Sequence, residues 1–179
     1  MKKTGVGACD EVVSGRAVSA RLTSLVCGAV VRVVGVYAPT GRRNEGASGG
    51  KTERETFWDD VQAWVEGDEE AILVGDVNAE TEEALRRMGR APQWQDTRWQ
   101  RLVSDTGMCV SPTRAPTYAG VSEIDQIATG ARAREYVSTR AECWPGTSES
   151  DHLMVRMGWV GRADAGDGEG WGEQRAKNM

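Results

Sequence analysis

Residues 71–80 read Ala-Ile-Leu-Val-Gly-Asp-Val-Asn-Ala-Glu, and no other stretch limits the possible folds as sharply. The four apolar residues predict a short buried strand, and Gly75 ends it by letting the backbone turn steeply. Asp76 and Asn78 then follow two positions apart. In an extended segment that spacing sets both side chains on one side, where a carboxylate and an amide can together hold a metal ion, a water or a phosphate. The competing reading is an Asx-rich turn whose side chains only satisfy their own backbone.

Around this stretch the pattern alternates between strand and helix. Residues 1–15 carry no defined element. Residues 16–22 alternate apolar and polar as a half-buried strand does, Cys27-Gly28 reads as a turn, and residues 30–38 form a β-branched run that Pro39 stops. Thr52 and Glu55 match a capping box. Phe57, Val61, Trp64 and Val65 recur behind it at helical spacing, with Trp58 beside them and Gly67 closing the element. These tryptophans are assigned to the core rather than to a base-stacking platform. A second helix starts at Thr81, with acids in its first turn, Arg86 and Arg87 in its last, and Gly89 after it. Residues 90–98 read as an irregular excursion, 99–106 as a helix, and 122–128, 135–143 and 153–159 as strands. From Val160 the Gly/Asp/Glu-rich tail has too little apolar content to fold. The domain expected is therefore 16–159, with 160–179 disordered. Its class is mixed α/β (α+β) with packed sheets.

Bulk properties narrow the function classes. A chain of 179 residues with net charge −5 and pI near 5.1 does not suit a protein that coats nucleic acid non-specifically, although a local basic rim from Arg42, Arg43, Arg86, Arg87 and Arg90 is compatible with it. Four cysteines without a CxxC pair, and a single histidine, argue against structural zinc. The start has neither a signal peptide nor a membrane span. The expected setting is intracellular and reducing, nucleus or cytoplasm, without membrane attachment.

Four short motifs end or follow strands: Tyr37-Ala-Pro39, Gly75-Asp76-Val-Asn78, Ile124-Asp125-Gln-Ile127 and Ser150-Asp151-His152. Taken singly, each has an ordinary explanation. Tyr37 can be a strand aromatic, Asp125 an acid bonded to a nearby backbone N–H, and His152 a surface loop residue. In this order, with a capped helix between the first two, they resemble the endonuclease/exonuclease/phosphatase superfamily, most closely the apurinic-type endonuclease domain of non-LTR retrotransposons. The resemblance spans residues 16–159. It implies two packed β-sheets flanked by helices in a four-layer sandwich, DNA as substrate, and Mg²⁺ (or Mn²⁺) as cofactor. It also implies roles for residues. Tyr37 would contact the scissile phosphate. Asp76 would position and deprotonate the attacking water, with Asn78 orienting the phosphate. Asp125 would fix the tautomer of His152, and His152 would donate to a non-bridging phosphate oxygen or stabilise the developing charge. Asp76 and Asn78 would serve the metal, and Asp151 would help at the metal or leaving-group side; Tyr118 itself is read as packing.

Two motifs that the family carries nearer its amino end, a strand ending in Asn and a later one ending in Glu, have no counterpart here. Asp10-Glu11 does not sit in the matching context. The domain expected is thus incomplete at its N-terminal side, with an exposed sheet edge or apolar face that favours self-association. Two other outcomes follow from the same residues. One is a catalytically inactive remnant acting as a binding module or without function. The other is a phosphatase or phosphodiesterase acting on a lipid or small phosphoester.

Overall fold

The β-branched run at residues 30–38 and the apolar run at 71–74 become the two central strands of a mixed sheet. The structure, a computed structural model, describes residues 5–13, 15–23, 28–40, 53–111, 113, 115–144 and 150–159. In chain order the strands are β1 (Gly5–Val13), β2 (Ala17–Thr23), β3 (Val30–Tyr37), β4 (Ala71–Asp76), β5 (Cys109–Ser111), β6 (Asp125–Thr129), β7 (Val137–Trp144) and β8 (Met154–Trp159). The helices are α1 (Glu53–Val65), α2 (Glu82–Met88) and α3 (Trp94–Asp105), with a 3-10 turn at Ala133–Glu135. Six strands form one sheet in the order β1-β2-β3-β4-β6-β5, and β7 pairs with β8 in a second. β3 and β4 run parallel, so the chain must cross over between them, and α1 lies in that crossover.

Side chains alternate between faces of a strand, and the large sheet uses both faces. Val34, Val36, Leu73 and Ala128 face Phe57, Trp58, Val61 and Val65 of α1 and Trp99 and Leu102 of α3 in the main core. Trp58 sits between Phe57 and Trp99, with ring centroids 5.1 and 5.8 Å away. The opposite face carries Val31, Ile72 and Ile127, covered by Val137, Val155 and Met157 of the small sheet. The fold is therefore α+β with two packed sheets and helices outside, as expected. Among the described residues the layers are helices, large sheet and small sheet, and no helix covers the far side of the small sheet.

Several boundaries differ from the sequence expectation. Residues 5–13 are a strand, not an undefined segment. Irregular register between Val6 and Cys9 and between Cys9 and Glu11 breaks the two-residue period that would have revealed it. The second helix is as expected: the Thr81 hydroxyl accepts from the Ala84 N–H at 3.1 Å, and Gly89 closes the helix with φ 64°. α3 starts at Trp94, inside the stretch read as irregular. Asp96 takes the Gln93 N–H at 2.7 Å, a cap that a glutamine at the N-terminal position does not advertise. Thr52, Cys27 and the tail from residue 160 lie outside the described residues, as do Arg42 and Arg43.

Candidate functional site

The ladder registers assemble the site. Tyr37 at the end of β3 pairs with Asp76 at the end of β4, and Asp76 pairs with Asp125 at the start of β6. Residues in register show their side chains on the same face. These three therefore form a row on the face that carries Ile72 and Ile127, just past the small sheet. Asp125 opens its strand rather than lying inside it.

Local chemistry fixes each member. Gly75 has φ 142°, and a Cβ there would fall 1.9 Å from the Val36 carbonyl oxygen, so only glycine allows β4 to close on β3 before Asp76. The Asn78 N–H donates to Asp76 Oδ1 at 2.9 Å, with Asn78 itself left-handed at φ 48°. The Asx turn offered as the competing reading thus exists, and it orients the carboxylate. Asn78 Nδ2 donates to the Ala38 carbonyl at 2.8 Å, and the Ala38 N–H donates to the Asp76 carbonyl at 2.8 Å. Together these bonds lock the ends of β3 and β4. Tyr37 is 54 % exposed, with the Arg16 guanidinium 5.6 Å from its ring centroid.

His152 arrives from the other end of the chain. The Leu153 N–H donates to the Thr117 carbonyl at 2.6 Å and the Ala119 N–H to the Asp151 carbonyl at 2.8 Å, holding the histidine beside Tyr118, whose ring centroid lies 4.7 Å away. Thr117 also accepts the Asp125 N–H through its hydroxyl at 3.0 Å. His152 Nδ1 lies 3.1 and 2.9 Å from the two Asp125 carboxylate oxygens. A carboxylate only accepts, so Nδ1 carries the proton and Nε2 is the nitrogen left to titrate.

The electrostatics are those of a crowded acidic cluster. Burial pushes the Asp76 carboxyl above its ordinary value; the Asn78 N–H opposes this, the Asp125 charge adds to it, and His152 offsets part. For His152, burial disfavours the imidazolium, but the hydrogen bond and charge of Asp125, aided by Asp76 and Asp151, outweigh it and raise the pKa.

Asp76, Asp125 and His152 each offer a ligand atom within 4.8 Å of the others. Asp151, expected at the metal, is exposed and outside this group. Two of the arginines expected on a basic rim stay exposed but pair with buried acids: Arg87 with Glu123, and Arg90 3.8 Å from Glu80. Tyr118 was legible only as packing. Thr117 lies in a segment that matches the family's stretch before the Ile-Asp strand, but its bonds to Asp125 and Leu153 were not legible, because they depend on separate segments meeting.

This α+β arrangement is shared with a solved domain. The solved endonuclease domain of TRAS1, a telomere-specific non-LTR retrotransposon, matches with TM-score 0.67 over 89 % of this chain and 68 % of that one, at 13 % identity. The likeness is one of fold. No protein-family model matches the chain, and no curated protein does.

Proposed function

We propose that the chain is a divalent-metal-dependent phosphodiesterase domain that nicks DNA. The observation that carries the reading is the convergence of Asp76, Asp125 and His152 from three distant segments, with Tyr37 in register beside them. The fold likeness to a retrotransposon endonuclease domain supports it.

Phosphodiester hydrolysis needs a positioned water, charge relief on the phosphate and a proton for the departing oxygen. Asp76 orients the water and takes its proton. Asn78 and Tyr37 orient the phosphate. Asp125 holds His152 in one tautomer, and the imidazolium donates to a phosphate oxygen. The donor set fits a hard cation: the carboxylates of Asp76 and Asp125 stand together, and a bound cation would offset both the burial and the Asp125 charge that disfavour ionised Asp76. Asp76, with Asn78, would hold Mg²⁺ or Mn²⁺, Asp125 would lie against it, and Asp151 would add negative charge nearby. When bound, the ion supplies Lewis-acid stabilisation of the phosphate.

A second reading, hydrolysis of a small or lipid phosphoester, is favoured by the pairing of Arg87 and Arg90 with Glu123 and Glu80, which offsets part of the positive charge a DNA backbone would meet. One experiment weighs both. Supercoiled plasmid and a small phosphodiester are incubated with the protein and Mg²⁺, with and without chelator. Metal-dependent nicking is expected, falling on the order of 10²–10⁴-fold in His152→Ala and in Asp76→Asn. Nicking that survives both substitutions overturns the site. Cleavage of the small ester alone selects the second reading. Failure on both substrates with a cooperative melt selects an inactive binding module.

A further inference from the structure

We propose that Glu80 is a positioning residue for this site: its buried carboxylate ties the loop after Asp76 to the segment before Asp125, and so braces the end of the ladder in which the two acids pair. The catalytic meaning of this proposal rests on the phosphodiesterase reading, whereas its geometry does not.

Glu80 is only 3 % exposed, and its Oε2 accepts the Glu123 N–H at 3.0 Å. Two further bonds cross the same seam. The Val77 N–H donates to the Ile124 carbonyl at 2.8 Å, and Gln126 Nε2 donates to the Ala79 carbonyl at 2.6 Å. Each cross-link joins a residue within four positions of Asp76 to one within two of Asp125. The seam is anchored to the main core on both sides. Gln126 Oε1 accepts from the Trp99 indole at 2.8 Å, and the Glu80 N–H donates to Asp96 Oδ1 at 2.8 Å, the carboxylate that also caps α3. Arginines at the end of α2 and just beyond it answer the charge, with Arg87 on Glu123 and Arg90 3.8 Å from Glu80.

Burying two carboxylates side by side is costly unless each is bonded and paired. An ordinary loop in a core of this kind would be closed with apolar side chains. Here the costly groups lie where the loop after β4 meets the segment before β6, just past the end of the ladder that pairs Asp76 with Asp125. A shift of about 1 Å at such a site can reduce turnover by on the order of 10²-fold.

The test uses the single histidine as a reporter. In ¹⁵N-labelled protein, the Nδ1–H of His152 bonded to Asp125 is expected to give a downfield proton resonance. Glu80→Ala is expected to melt cooperatively yet lose that resonance to solvent exchange, with nicking falling on the order of 10–100-fold in kcat more than in KM. Glu80→Gln keeps an acceptor for the Glu123 N–H and is expected to restore the signal. A cooperatively folded Glu80→Ala with the resonance unchanged overturns the proposal. Where Glu80→Ala does not fold, native-state hydrogen exchange of the unaltered protein decides. A shared opening free energy for the Val77, Glu123 and Asp125 amides supports the seam, and free exchange at Glu123 beside a protected Asp125 overturns it. Absence of nicking in the unaltered protein counts against the phosphodiesterase reading alone, because the resonance and exchange readouts remain.

Discussion

On one face of the large sheet, Val34, Leu73 and Ala128 lie sealed beneath Trp58 and Trp99. On the other, the same three strands carry Val31, Ile72 and Ile127 under a two-stranded cover and then run out into Tyr37, Asp76 and Asp125. Neighbouring residues in one strand thus serve different purposes. The helix face is close-packed and apolar, which is where folding free energy comes from. The site face gives some of that stability up: Asp76 is held where burial and the Asp125 charge disfavour its ionised form. That face is also open beyond the small sheet, where Val18 is 44 % exposed, and β1 forms the nearby edge of the sheet.

Three changes would break or sharpen this contrast. Trp58→Ala on the sealed face is expected to cost about 3–5 kcal/mol in denaturant unfolding. Any folded fraction should keep the His152–Asp125 pairing, and a loss below about 1 kcal/mol would show that the core does not depend on the helix layer as described.

The next effect is a pH dependence from the site face. A histidine with a raised folded pKa contributes stability that is present in full below its unfolded pKa of about 6.5 and is lost as pH rises through the folded value. Stability should therefore decline on going alkaline from about 6.5, and Asp125→Asn should flatten that decline. Following the lone histidine by NMR should show a midpoint above about 6.5 in the unaltered protein and a lower one in the variant; equal midpoints would remove Asp125 as the cause.

The smallest effect belongs to the open region. Val18→Lys should change stability by less than about 0.5 kcal/mol, while lowering any concentration-dependent mass in sedimentation. A large destabilisation would mean that this face is covered after all.

Much of this architecture was legible beforehand because it depends on local chemistry. The strand at residues 71–76 and the second helix from Thr81 to Gly89 follow from apolar runs, a hydroxyl cap and a left-handed glycine, all readable over a few residues. Asp76, Asp125 and His152 were identifiable as site candidates by resemblance, and the fold brings them together. The first strand and the early start of α3 were hidden. One breaks period through irregular pairing, and the other is capped by Asp96, whose second oxygen serves Glu80 sixteen positions earlier in the chain.

No helix among the described residues is long and apolar enough to cross a membrane. The sequence alone determined the types of element and the chemistry available at their ends, because backbone propensity and side-chain alternation act over short spans. Tertiary structure decided which acids meet. Strand register sets Asp76 opposite Asp125, a separate loop places His152 on Asp125, and buried Glu80 and Glu123 take Arg90 and Arg87 as partners. Those outcomes depend on packing between segments far apart in the chain, where no local rule assigns a partner.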